Sequence, residues 1–307
     1  MMKTFFEGKK ALVVINPISG KRTTKQQLYD ITDMFSTKGL ETTVYTTRCK
    51  GDAQDLVARR GEDFELVVCR GGDGTFNEVV NGVMPLKKQP LLGYIPAGST
   101  NDLARTLRIP INNNAEAIDV ILNGQPLYND VGTFAGDEVN KHFSYIASCG
   151  AFVDIAFNTP QAQKNRWGRA AYFAQAPAAI RGIQKMHVKI TTEEGQSLED
   201  DYIFLSISNS SSIAGAIKVP RRLVGLNDGR FELLLIRYPK NFAELSAALR
   251  RVVMQDYRDE SLRLLHTRRA ELAFDQPVPW TIDGENGGLH DHVVIENIHN
   301  AIQIFRR

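Results

Sequence analysis

Through its first hundred residues the chain alternates short apolar runs with segments of helical period. That alternation restricts it to a parallel sheet covered on both faces. Ala11–Asn16 is a β-rich run closed by Pro17. In Thr24–Lys38, Leu28, Ile31, Met34 and Phe35 recur near helical spacing and Gly39 stops the segment. Thr42–Thr46 reads as a strand, and Asp52–Arg60 as a helix ended by Gly61. Leu66–Cys69 and Leu92–Ile95 are compact apolar strands, the second followed by a helix beginning near Ser99.

After about residue 125 the texture changes. Val131–Ala135, Phe143–Ala147, Val188–Thr192, Tyr202–Ser208, Phe231–Ile236, Glu271–Phe274 and Val293–Ile295 read as strands separated by turn residues. Two helical segments, Lys164–Ile180 and Phe242–Asp256, interrupt them. A last strand, Ala301–Phe305, is able to pair with either half. The expected fold class is α/β, with two domains in the 307 residues. Residues 1–130, with 298–307 returning, form an N-terminal parallel, Rossmann-like domain. Residues 131–297 form a β-sandwich-like domain.

Lys plus Arg is 37 and Asp plus Glu is 35. This balance argues against a dedicated nucleic-acid binder. Cys49, Cys69 and Cys149 are far apart and show no metal-ligand spacing, as expected of a reduced, cytoplasmic setting. Neither a signal peptide nor an apolar run of the roughly 18 residues needed to cross a membrane is evident. A lipid ligand would therefore be met peripherally, at the inner membrane face.

Gly71-Gly72-Asp73-Gly74-Thr75 lies between an apolar strand and a helix. In a parallel sheet that turn sits at the carboxyl edge, where ligands bind. Its glycines let the backbone approach a phosphate, and the helix start offers unpaired N–H donors. An acid within such a loop repels phosphate unless a cation lies between them, so Asp73 implies Mg²⁺. A tight turn capped by Asp73 is the plain alternative, but four special residues in this context exceed what a turn requires. The loop is neither a Walker loop nor a dinucleotide fingerprint. Two further strand ends carry polar turns, Asn16-Pro17-Ile18-Ser19-Gly20-Lys21 and Pro96-Ala97-Gly98-Ser99-Thr100-Asn101-Asp102. Either alone is an ordinary turn and cap; three on one sheet edge form a phosphate-binding set.

Five segments then occur in a known order: NPISGK at 16–21, TTRCKGDA at 46–53, GGDGTFNEVVNG at 71–82, GYIPAGSTNDLAR at 93–105 and IDGENGG at 282–288. With them the sequence resembles the bacterial diacylglycerol kinase and lipid kinase family, relatives of sphingosine and ceramide kinases. GGDGT alone is shared with NAD kinases. The resemblance implies ATP in a cleft between the two domains, contacted by Asn16, Pro17, Ile18, Ser19, Gly20, Thr47, Gly71, Gly72, Asp73, Gly74, Thr75, Phe76, Asn77, Ser99 and Thr100. Ser99 stands where the family usually has Thr and keeps the hydroxyl. Lys21 would be a point charge for phosphate. Asp73 and Asp102 would belong to a carboxylate–water–Mg²⁺ network. A further Mg²⁺ would be held by Asp228 and the carbonyls of Gly225 and Arg230. On the residues alone, Asn227-Asp228-Gly229 reads as a hairpin turn, and many relatives have Asp where Asn227 stands. Glu285 matches the family's proposed proton acceptor, in a hydrophilic loop with Asp283 and Gly284.

The resemblance implies phosphorylation of a membrane lipid hydroxyl, diacylglycerol first, by ATP and Mg²⁺. An NAD kinase and a non-enzymatic, nucleotide-responsive lipid-binding protein are the alternatives; whether the chain forms a homodimer is left open. His290 and His292 around Asp291 read as an exposed polar loop rather than metal ligands. Lys164–Ile180, with its lysines, arginines and aromatics, reads as a helix packed on the second domain. Arg221-Arg222, Arg250-Arg251 and Arg268-Arg269 read as solvated pairs.

Overall fold

The computed structural model describes residues 5–19, 25–111, 113–137, 139–150, 184–213 and 217–307. The expected helix Lys164–Ile180 lies outside them, as do Gly20 and Lys21. The first half contains β1 (Lys10–Ile15), α1 (Lys25–Thr37), β2 (Glu41–Thr46), α2 (Asp52–Arg60), β3 (Leu66–Gly71), α3 (Asp73–Val83), β4 (Leu91–Pro96), α4 (Asp102–Thr106) and α5 (Asn114–Asn123). The four strands are parallel in the order β4-β3-β1-β2. All six residues of β3 are buried, and all of β1 after Lys10. Helices cover both faces of such a strand, so it reads as a continuous apolar run rather than an alternating one. Their carboxyl ends align, with Ile15 opposite Thr46 and Arg70, and Gly71 opposite Pro96.

Ser99 lies ahead of the helix expected there; α4 begins at Asp102, after Asn101 has entered the left-handed region at φ 51°. The sequence reading also passes over α5, whose Asn113 side chain caps Glu116 N–H.

The second half is strand-rich: β5 (Gln125–Ala135), β6 (Asn140–Phe143), β7 (Ile146–Gly150), β8 (Met186–Thr192), β9 (Ser197–Ser208), β10 (Ser212–Ile213), β11 (Ile217–Lys218), β12 (Phe231–Arg237), α6 (Phe242–Met254), β13 (Arg258–Asp259), β14 (Leu262–Thr267), β15 (Arg269–Ile282) and β16 (Glu285–Arg306). The strand β15 pairs antiparallel with β7 and β8, and β9 pairs with the same two, so these ladders close into a ring. Its core contains Phe134, Phe143, Leu205, Phe231, Leu272, Trp280 and Val293, separate from the core under the parallel sheet.

Val293–Ile295 and Ala301–Phe305, expected as two strands, are one strand, β16. It pairs with β15 at its start and with β5 further on, shifts register near Asn300, and meets β4 in parallel at Ile304↔Leu92. The expected polar loop at 290–292 is therefore strand, with His290 buried: its ring bonds Gly287 O and Asp137 N–H. Among the described residues no helix is long and apolar enough to cross a membrane.

Candidate active site

All the loops in question leave the carboxyl edge of the parallel sheet, and backbone bonds tie them together. Asn16 N donates to Arg70 O, Thr47 N to Ile15 O, and Ala97 N to Gly71 O. The Asn16 side chain accepts from Ile18 N–H and donates to Thr75 Oγ1, linking the first loop to the third. Gly72 is extended and α3 starts immediately after it. A Cβ on Gly98 would lie 2.7 Å from Gly72 Cα, so the third and fourth loops touch backbone to backbone. Only glycine permits that approach. Asn101 fixes the fourth loop, accepting from Gly98 N–H and donating to Gly98 O, while Ser99 and Thr100 stay exposed. Phe76 is buried against Tyr94, and the Asn77 amide donates to His142 O and Asp283. Both side chains, expected at the nucleotide, are engaged inside the protein.

The Asp73 carboxylate accepts from Asp102 N–H at 3.1 Å and the Tyr94 hydroxyl at 3.3 Å. Burial, and then the neighbouring Asp102 charge, push its pKa up to about 7. Asp102 is itself buried, with Oδ1 accepting from Ser212 of the second half. Among the described residues no lysine or arginine pairs with Asp73. The half-buried Asp73 carboxylate beside the buried Asp102 offers oxygen donors of the kind a hard cation requires. Among the described residues no three His, Cys, Asp or Glu side chains are grouped to hold a metal. Mg²⁺ fits here if phosphate and water oxygens complete its shell.

Asp283 and Gly284, at φ 48° and 78°, form the two-residue turn of the β15–β16 hairpin, where Ile282 pairs with Glu285. Asp-Gly is the favoured sequence for such a turn, a signal overlooked when the segment is read as a loop. The Asp283 carboxylate is buried and accepts from the backbone N–H groups of Ser144, Tyr145 and Ile146 and from the Asn77 amide. Asp283 thus positions the hairpin against α3 and β7. That posture brings Glu285 over the Gly71–Thr75 loop: Oε1 lies 2.8 Å from where a Cβ on Gly74 would be.

Lys50 Nζ donates to Glu285 Oε2 from the opposite half. The turn carrying Lys50 is built by Asp52, which accepts from Tyr45, Arg48 N–H and the Arg48 guanidinium; Arg48 holds its carboxyl down at about 2. Lys141 on β6, half-buried, also faces this group; burial and then Lys50 pull its pKa down, against the pull of Asp283 and Glu285. The sequence reading gave neither lysine a role, although Lys50 lies in the 46–53 segment.

Gly225, Asp228 and Arg230 lie together in the turn before β12. Asp228 Oδ1 accepts from Arg230 N–H, and Oδ2 lies where a Cβ on Gly225 would collide with it. The sequence reading missed Asp130, which straps the loop: its buried carboxylate accepts from Gly229 N–H, Asn300 N–H and the His299 ring, and its N–H donates to Leu226 O. Behind it Glu232 is buried and pushed up to about 9 by burial and then by Asp228. The local excess of carboxylates fits a cation. The arginine pairs are only partly solvated: Arg251 pairs with Asp259, Arg269 with Glu271, and Arg221 donates to Arg105 O.

The sequence profile of the diacylglycerol kinase catalytic domain matches residues 10–134. A diacylglycerol kinase of Bacillus subtilis (strain 168) is 30% identical over 299 residues, covering 94% of this chain and 96% of the relative. One of Staphylococcus carnosus (strain TM300) is 29% identical over 284 residues, covering 91% and 90%. The crystal structure of a diacylglycerol kinase from Bacillus anthracis str. Sterne superposes with a TM-score of 0.74 at 22% identity, covering 97% of each chain. That last likeness speaks to the fold alone.

Proposed function

The chain belongs to the diacylglycerol kinase family, and from that premise we propose an ATP- and Mg²⁺-dependent lipid kinase that transfers the γ-phosphate to a lipid hydroxyl, that of diacylglycerol to give phosphatidic acid. The observation that carries the reading is the reach of Glu285, from one half of the chain, to the Gly74 end of the phosphate loop on the other.

In this reading residues 1–130, with 298–307 returning, form the nucleotide-binding lobe, and 131–297 a sandwich-like acceptor lobe. Asn16–Lys21, Thr47, Gly71–Thr75, Ser99 and Thr100 surround ATP, with the side chains of Phe76 and Asn77 buried behind them. The Gly72–Gly98 contact leaves backbone rather than side chains to face the phosphates. Asp73 and Asp102 hold Mg²⁺, which when bound neutralises the phosphate oxygens in a loose, mainly electrostatic transfer. Gly225, Asp228 and Arg230 hold a second ion that orders their loop. Glu285 takes the proton of the acceptor hydroxyl. The acceptor oxygen forms its bond to the γ-phosphorus as the bond to the bridging oxygen breaks, and ADP leaves. The enzyme meets its lipid peripherally, at the cytoplasmic face of a membrane.

The test is transfer of label from ATP into a total membrane-lipid extract, with Mg²⁺ and with a chelator. Label in phosphatidic acid, lost with the chelator, is expected. Label on NAD, or ATP binding without turnover across the extract, would overturn the reading.

A further inference from the structure

Beside Ser99 and Thr100 lies a cavity of about 1110 Å³, walled by α4 and the segment after it, by β10, β11 and Arg221, and by the last residue. Both halves of the chain contribute to it. Five of its lining residues are cationic (Arg105, Arg108, Lys218, Arg221 and Arg307) and one, Glu116, is acidic. Among the described residues none of the five forms an ion pair. Glu116 is held by Asn113, which accepts its N–H and donates to its carboxylate.

This concentration is local, because the whole chain has almost balanced charge, 37 basic against 35 acidic residues. All five are solvent-exposed, and like charges gathered on one concave surface repel one another and add their fields in the space between them. The backbone holds them there. Arg221 donates to Arg105 O, Arg105 donates to Thr100 O, Arg307 N–H donates to Leu107 O, and Arg108 occupies the left-handed region at φ 58°. Each of the two arginines in these side-chain bonds keeps further N–H donors for a ligand, since a guanidinium has five.

We propose that this cavity binds a phosphate-bearing ligand, either the headgroup of an anionic phospholipid or a free phosphate ester. Arginine forks match phosphate oxygens in bidentate geometry, and a lysine adds a compact point charge. The proposal goes beyond the kinase reading, which places Ser99 and Thr100 at ATP but gives none of these five cations a role. Through Arg105 the ligand lies one hydrogen bond from Thr100 of the candidate nucleotide loop.

The test is isothermal titration of the full chain with two probes, dihexanoyl phosphatidylglycerol below its micelle concentration and inorganic phosphate. The variants are Arg108→Glu/Lys218→Glu and the milder Arg108→Gln/Lys218→Gln, with folding checked by circular dichroism. Wild type is expected to bind at least one probe, and both double variants to bind it about tenfold or more weakly. Binding of phosphatidylglycerol alone assigns the site to a phospholipid headgroup; binding of inorganic phosphate as well assigns it to phosphate esters in general. Absence of binding to either probe by wild type, or equal binding by folded variants, overturns the proposal. Loss of ATP-to-lipid transfer with probe binding intact would remove the kinase reading and leave this site standing.

Discussion

Lys50, in the turn ahead of α2, donates from Nζ to the Glu285 carboxylate at the start of β16, joining the two halves of the chain beside the Gly71–Thr75 loop. The side chains are 73% and 41% exposed, so the pair contributes less than about 1 kcal/mol to stability. Lys50→Met should leave the urea midpoint close to that of wild type. Glu285→Gln should lower turnover by about 10²–10⁴-fold, the usual range for a general base, at unchanged ATP affinity. Titration calorimetry with ATP beside the kinetics checks this; a parallel collapse of affinity would make Glu285 a binding residue.

Asp73 ties stability to pH. Its folded pKa, about 7, is raised above the ordinary 3.8 by burial and then by Asp102. Between those values the unfolded chain releases a proton that the folded chain keeps, so stability falls as pH rises from about 4 to about 7. The deficit is fully present above pH 7 and amounts to a few kcal/mol, because each tenfold change in proton affinity corresponds to about 1.4 kcal/mol. Asp73→Asn should flatten that slope and abolish turnover. In wild type Mg²⁺ should raise the melting temperature more at pH 8 than at pH 5. Thermal melts of both proteins across pH, with and without Mg²⁺, measure it; parallel slopes would remove Asp73 from the metal.

Asp283→Ala is expected to be the most destabilising change at the site. It would strand three buried backbone N–H groups and leave the Asn77 amide with His142 O as its remaining acceptor. Each unsatisfied donor costs about 1–3 kcal/mol, and relaxation makes the total about 3–5 kcal/mol. Chemical denaturation reads the loss directly. Asp283→Asn, which keeps one of the two oxygen acceptors, should lose less.

Gly98→Ala tests the backbone contact between the third and fourth loops. The new Cβ would sit 2.7 Å from Gly72 Cα and 2.8 Å from Asn101 Oδ1, so the loops must part. ATP affinity should fall by about tenfold, equivalent to about 1.4 kcal/mol. Gly195→Ala, whose Cβ meets nothing within 4 Å but sits at φ 82°, should cost stability alone. Equal ATP affinity in all three proteins would show that the contact does not shape the site.

The alternating first half was legible because β1 and β3, buried on both faces, must be apolar along their whole length, and because Gly39 and Gly61 punctuate the helices between strands. The Gly71–Thr75 turn was legible for a related reason: glycines and an acid at the end of an apolar strand mark a sharp strand-to-helix turn, and β3 does end at Gly71 with α3 starting at Asp73. The run from Val293 to Phe305 misled, because a strand that changes partners midway carries no single period. His290 was hidden by its charged neighbours, since alternation in a strand buries one residue and exposes the next.

By itself, the order of residues determined that the chain builds a parallel sheet with polar, glycine-bearing turns at its carboxyl edge, and it placed Asp73 in one of them. Local rules suffice there, because a turn and its strand lie within about ten residues of one another. Only the tertiary structure decided which groups meet that loop. Asp73 faces Asp102 29 positions away, Asn77 bonds Asp283 206 positions away, and Lys50 reaches Glu285 235 positions away. Contacts of such separation arise from β16 crossing between the halves and from the ring of antiparallel ladders, and neither leaves a periodic trace. The burial that moves the Asp73 proton toward neutral pH is likewise a property of the packed cleft and of no local segment.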